Sequence, residues 1–146
     1  MNRYVKTIPI EAEQFEESVG MINKYDLTSL YNGQWSIDTL EGGMVFNTGD
    51  WIATGINGEH WAIADDVFQK TYMKLPVIPE AVSNVLIYAK SKKRNLYWVF
   101  TQTPNNLARL KVIAPSERRE ISGFFRKSGS DEIFARAWLD GYQVTE

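Results

Sequence analysis

The chain has 146 residues, 44% hydrophobic, 13% aromatic and 23% charged, with a net charge of −2 and no cysteine. Aromatic content at that level excludes a disordered chain, and the length suits one full-size domain or two very small ones. The missing thiols exclude disulfides, thiolate metal sites and cysteine nucleophiles together, and the single histidine, His60, leaves any transition-metal site dependent on carboxylates.

No apolar run approaches the ~18 residues of a membrane span. The opening residues 1–6 lack the apolar stretch of a secretory signal, so the expected location is the cytoplasm. Residues 1–78 hold five Lys/Arg against 11 Asp/Glu, a net of −6, and residues 79–146 hold 11 against seven, a net of +4. The sign changes at Leu75-Pro76-Val77-Ile78-Pro79, where two prolines disfavour continuous helix. This predicts an acidic unit over 1–75 and a basic unit over 76–146.

In chain order, Tyr4-Val5-Lys6-Thr7-Ile8-Pro9-Ile10 is rich in β-branched and aromatic side chains and predicts a strand, placed at an edge by Pro9. Residues 16–24 carry Val19, Met21 and Ile22 and predict a short helix. Trp35, Ile37 and Thr39 alternate with Ser36, Asp38 and Leu40, the period of a half-buried strand. Glu41-Gly42-Gly43 then reads as a turn into Met44-Val45-Phe46. A further hairpin is predicted from 50–54 and 59–63 around Gly55-Ile56-Asn57-Gly58, because Asn-Gly tolerates the positive φ of tight turns. Ala64-Asp65-Asp66 predicts an acidic N-cap for a short helix or turn over 67–72.

Beyond the prolines the period changes. Pro79 and Glu80 suit the first turn of a helix, Val82, Val85, Leu86 and Ala89 follow at helical spacing, and Lys90, Lys92, Lys93 and Arg94 gather at the end where the dipole favours cations. Residues 95–100 read as a further helical turn, with strand as the alternative. Thr103-Pro104-Asn105-Asn106 reads as a break, and 107–113 is ambiguous. Ser116 is expected to cap a helix through Ile121, Phe124 and Phe125, and Ser130 to cap another over 131–140 that Gly141 stops. The expected fold class is α+β, a small antiparallel-sheet N-terminal unit packed with a mostly helical C-terminal unit.

Two segments carry family resemblances. Thr48-Gly49-Asp50-Trp51-Ile52-Ala53-Thr54-Gly55-Ile56-Asn57-Gly58-Glu59, with Asp66-Val67-Phe68-Gln69-Lys70-Thr71-Tyr72 after it and Glu11-Ala12-Glu13-Gln14-Phe15 before it, resembles the PGDYG-motif proteins of Gram-positive phages and prophages. Thr48 stands where that motif has proline and Trp51 where it has tyrosine. The ending Phe134-Ala135-Arg136-Ala137-Trp138-Leu139-Asp140-Gly141-Tyr142, together with the 75–82 opening, resembles a second phage family of unknown function. The resemblances imply a phage or prophage accessory protein of the host cytoplasm. Neither family brings a known activity, substrate or catalytic residue.

The chemistry-bearing residues are cations beside aromatics. Lys90, Lys92, Lys93 and Arg94 precede Tyr97 and Trp98, and Arg109, Lys111, Arg118, Arg119, Arg126 and Lys127 follow. Cations contact phosphates and aromatics stack on unpaired bases, whereas the structural alternative is a solvated helix end with core aromatics behind it. The candidate contact residues are Lys90, Lys92, Lys93, Arg94, Tyr97, Arg118, Arg119, Arg126 and Lys127. Asp65 and Asp66 with Glu59 and His60 form a conceivable divalent-cation set, although adjacent carboxylates more often start a helix. No set of acid, base and nucleophile announces itself in the sequence. The expected protein is therefore non-enzymatic, without cofactor or metal, and acts by binding a host or phage macromolecule. A protein partner inhibited by the contact, such as host machinery or a CRISPR effector nuclease, is the leading expectation. A nucleic-acid-binding module using the basic half is the alternative, and an uncharacterised enzyme a distant one.

Overall fold

Two three-stranded antiparallel sheets form the first part of the chain and helices form most of the second, an α+β architecture. The computed structural model describes residues 1–145. Two compact units divide it, Met1–Met73 and Lys74–Glu146. The first holds four Lys/Arg against 11 Asp/Glu and the second 12 against seven, nets of −7 and +5.

The first unit runs β1 (Glu11–Gln14), α1 (Val19–Lys24), β2 (Thr28–Ser29), β3 (Trp35–Thr39), β4 (Gly42–Phe46), β5 (Trp51–Thr54), β6 (His60–Ile63) and α2 (Asp65–Thr71). Its sheets are ordered β1-β5-β6 and β2-β3-β4. Ile52 and Ala62 are cross-strand partners on one face, and they meet Phe15, Met21, Tyr25, Leu27, Ile37 and Phe46 in a single core. Phe15 stands edge-on to both Trp35 and Phe46, with centroids 5.2 Å away in each case, the geometry aromatic quadrupoles favour.

Three local expectations are corrected here. Residues 4–10 form no strand and lie almost wholly exposed, and pairing begins only at Glu11. Strand propensity needs a neighbouring strand and a face to bury, and β5 spends its free edge on residues 11–14. The turn before β4 is Leu40-Glu41, so Gly42 and Gly43 already belong to the ladder opposite Thr39 and Asp38. Ala64, with no side-chain bond to offer, occupies the N-cap of α2, while Asp65 and Asp66 sit in its first turn, where the dipole still favours them.

The second unit runs β7 (Val77–Ile78), α3 (Glu80–Ser91), α4 (Leu96–Thr101), α5 (Pro104–Leu107), a 3₁₀ turn (Pro115–Glu117), α6 (Arg118–Arg126), α7 (Ser130–Asp140) and β8 (Gln143–Val144). Ala81, Val82, Val85, Leu86 and Ala89 of α3 bury the predicted stripe against Val99, Leu107, Ile121, Phe134 and Ala137. Asn95 settles the helix-or-strand alternative, since its side chain accepts the Trp98 N–H at 2.9 Å and starts α4. The predicted break at 103–106 is itself a helix start, with Thr103 accepting the Asn106 N–H at 3.2 Å and Pro104 in the first turn. Neither expected serine cap forms. Glu117 reaches back to the Ala114 N–H at 2.9 Å, and Gly129 holds the N-cap of α7 while Ser130 is buried as its first residue. The parallel pair β7–β8 went unread, because two-residue strands show no period and their partners lie at opposite ends of the unit.

Candidate interaction surface

The motifs that carry the resemblances are structural clasps. In the first unit β1 pairs with β5, the Phe15 N–H donates to the Asp50 carbonyl at 2.8 Å, the Gly49 N–H donates to the Phe15 carbonyl at 2.9 Å, and Gln14 Nε2 donates to the Gly49 carbonyl at 2.9 Å. Gly49 has φ +91°, a conformation that side chains resist, so glycine is needed at this turn. The Asp50 carboxylate accepts the Asn47 N–H at 2.8 Å and the Asp65 N–H at 3.1 Å, fastening the start of β5 to the start of α2. Trp51 Nε1 donates to Asp65 at 2.8 Å, and the Trp51 ring lies flat on Phe68 at 4.0 Å. That indole bond, with a second from Gln69, holds the Asp65 carboxyl below the usual carboxylate range. In the second unit Phe134 and Ala137 are buried, Gly141 ends α7 at φ +97°, and the Gln143 N–H donates to the Pro76 carbonyl at 2.9 Å.

Outside these clasps, the candidate cations fall into three groups. At the end of α3, Lys90 Nζ stands 5.0 Å from the Trp138 ring, Lys92 Nζ 5.9 Å from Tyr88, and the Arg94 guanidinium 5.2 Å from Trp98. Lys90 also donates to the Trp138 carbonyl at 2.8 Å, so it ties α3 to α7. Lys93 adopts φ +52° and closes α3, with its own N–H bonded to the Lys90 carbonyl and the Arg94 N–H to that of Ala89, an ending usually given to glycine. The remaining two groups sit on α6. Arg118 and Arg119 open that helix, while Arg126 and Lys127 lie at its far end, ~12 Å along the axis. Arg126 donates to Asn105 at 2.9 Å. Arg109 and Lys111 are exposed in the turns between α5 and the 3₁₀ turn.

The turn at Lys93 and the cap at Asn95 aim α4 so that Val99 is buried while Tyr97 remains 77% exposed and Phe100 44% exposed. These two rings are three residues apart and so share a side of the helix. Phe100 keeps one edge toward Phe134, 6.2 Å between centroids. Phe100 escaped the sequence reading because every aromatic from 97 to 100 looks equally suited to a core. Which of them face outward is set by the packing of Val99 into the core of the unit.

A second cluster, unread from the sequence, lies in the first unit. Glu13 Oε1 accepts hydrogen bonds from both Lys24 Nζ and the Tyr25 hydroxyl. The Lys24 bond and then the Tyr25 bond lower the Glu13 pKa, the Glu13 bond raises that of Lys24, and burial above all raises that of the Tyr25 phenol. His60 meets the Tyr25 ring edge-on at 4.9 Å and its Nδ1 lies 3.0 Å from Thr54 Oγ1. Glu59 accepts the Asn57 N–H at 3.0 Å and Asp66 pairs with Lys70 at 3.3 Å, so Glu59, His60, Asp65 and Asp66 each engage a different neighbour. Among the described residues no group of three or more His, Asp or Glu is arranged to hold a metal ion.

Comparisons with protein-family models, curated proteins and solved structures found no match. No described helix is long and apolar enough to cross a membrane. Two shallow concavities lie on the described surface, one bounded by Ile8, Pro9 and the 54–58 hairpin tip and another by Asn84, Ile87, Tyr88, Ser91 and Val112. What α4 presents is an exposed aromatic pair, Tyr97 and Phe100, and Lys92, Lys93 and Arg94 are exposed in the turn that precedes it, a combination suited to recognition by contact.

Proposed function

We propose that this chain is a phage or prophage accessory protein that binds a host or phage protein non-covalently and inhibits it. Host machinery or a defence effector such as a CRISPR nuclease is the class of target this reading favours. The observation that carries it is the exposure of Tyr97 and Phe100 on α4 and of Lys92, Lys93 and Arg94 in the turn before it. Tyr and Arg dominate binding hot spots, and a desolvated aromatic pair inside a charged rim is the arrangement such spots take. The net charge of +5 on this unit favours an acidic partner face.

The same surface supports one other reading, an exposed tyrosine beside cations stacking on single-stranded nucleic acid. A pair of variants separates the two. Co-elution with a partner from nuclease-treated Gram-positive host lysate should survive the nuclease and be lost in Tyr97→Ala/Phe100→Ala. Failure of the wild-type protein to retain any partner would count against the protein-binding reading. Mobility-shift binding that falls steeply with salt and vanishes in Lys92→Glu/Lys93→Glu would instead establish the nucleic-acid reading.

A further inference from the structure

We infer that β4 is a self-pairing edge through which two copies of this chain associate, Gly42–Phe46 against Gly42–Phe46 in antiparallel fashion. Every strand edge exposes unpaired N–H and C=O groups, and proteins blunt such edges with charges, prolines, shortness or a cover. The other edges among the described strands show these devices. β1 carries Glu11 and Glu13, while β2, β7 and β8 are two residues long. β6 lies against β3 and β4, with its Ala62 N–H donating to Met44 Sδ at 3.3 Å. β4, which β6 also touches, has neither the charges, the proline nor the shortness of the others. It pairs only with β3, spans five residues without a charge or a proline, and four of the five are exposed.

Its side chains also suit a copy of itself. Val45 is 54% exposed and Leu40, at the adjoining turn, 88% exposed, which leaves apolar surface along this edge. Centring a two-fold axis on Met44 sets Val45 opposite the partner's Gly43, a side chain over a residue that has none. It sets Gly42 opposite the partner's Phe46 and Glu41 opposite the partner's Asn47, so no acid meets an acid. The pairing extends a three-stranded sheet to six strands and satisfies the free backbone groups of both edges at once.

The test is sedimentation velocity of the full chain from about 1 to 300 µM, a span that brackets a weak dimer. The wild type should shift from monomer to dimer, and Val45→Lys, an exposed position that leaves the core untouched, should weaken association about tenfold or more. Val45→Thr, which keeps a β-branched side chain, should retain it. Since the chain has no cysteine, single cysteines also report register. Met44→Cys should form a disulfide-linked dimer on mild oxidation. Val45→Cys should not, because its sulfurs would start from Cα atoms more than ~7 Å apart. A wild type that stays monomeric throughout, a dimer indifferent to Val45→Lys, or cross-linking at 45 in preference to 44 would each overturn the inference.

Discussion

Glu13 shows how single side chains decide this fold. Its carboxylate, on a sheet edge, accepts from Lys24 at the end of α1 and from Tyr25 just beyond it, joining helix to sheet through one oxygen. Because the folded state lowers the Glu13 pKa, that contribution is fully present above the ordinary value of 4.5 and is lost as pH falls through the depressed folded value. Lys24 acts in the opposite sense, its raised pKa keeping its contribution intact below 10.5 and losing it only as pH rises beyond. Denaturant midpoints measured from pH 7 to pH 3 should therefore fall less in Glu13→Gln than in the wild type, with the difference opening below pH 4.5. Parallel curves would show that the cluster does not feel the proton. None of this was legible in the sequence, because Glu13, Lys24 and Tyr25 have no distinctive spacing. The strand register and the direction of α1 bring them together.

At the scale of elements, caps outperform composition. The apolar stripe of α3 announced a helix, and burial of Val82, Val85 and Leu86 agrees with it. Residues 95–100 carry no such stripe, and the choice between helix and strand rests on the Asn95 side chain bonding the Trp98 N–H. Asn95→Ala should cost about 1 kcal/mol in chemical denaturation. Amide exchange should quicken along α4 at the same time, since a six-residue helix has little else to hold its first turn. The hairpins were legible because Asn57-Gly58 and the alternation from Trp35 to Thr39 have local causes. Residues 4–10 misled for the converse reason. Their propensity is genuine, but a strand exists only where another strand offers an edge.

On the scale of the whole molecule, each unit owns a core. The cluster around Phe15, Ile37 and Ile52 and that around Val82, Ile121 and Phe134 share no residue. Ile52→Ala should cost about 2–5 kcal/mol and Phe134→Ala about 3–5 kcal/mol. Hydrogen exchange should place the first loss of protection in β1, β5 and β6 and the second in α3, α6 and α7, while a lesion felt equally across all six elements would contradict separate cores. Composition, periodicity and local turn chemistry by themselves determined the α+β class, the change of character at the 75–79 prolines, the position of α3 and the two hairpins, because each of these causes acts within a few residues. Tertiary structure alone decided that the motif at 48–51 clasps β1, that Tyr97 and Phe100 face outward, and that β7 meets β8. Those outcomes depend on which distant surfaces meet, and side-chain burial and backbone pairing are settled only when they do.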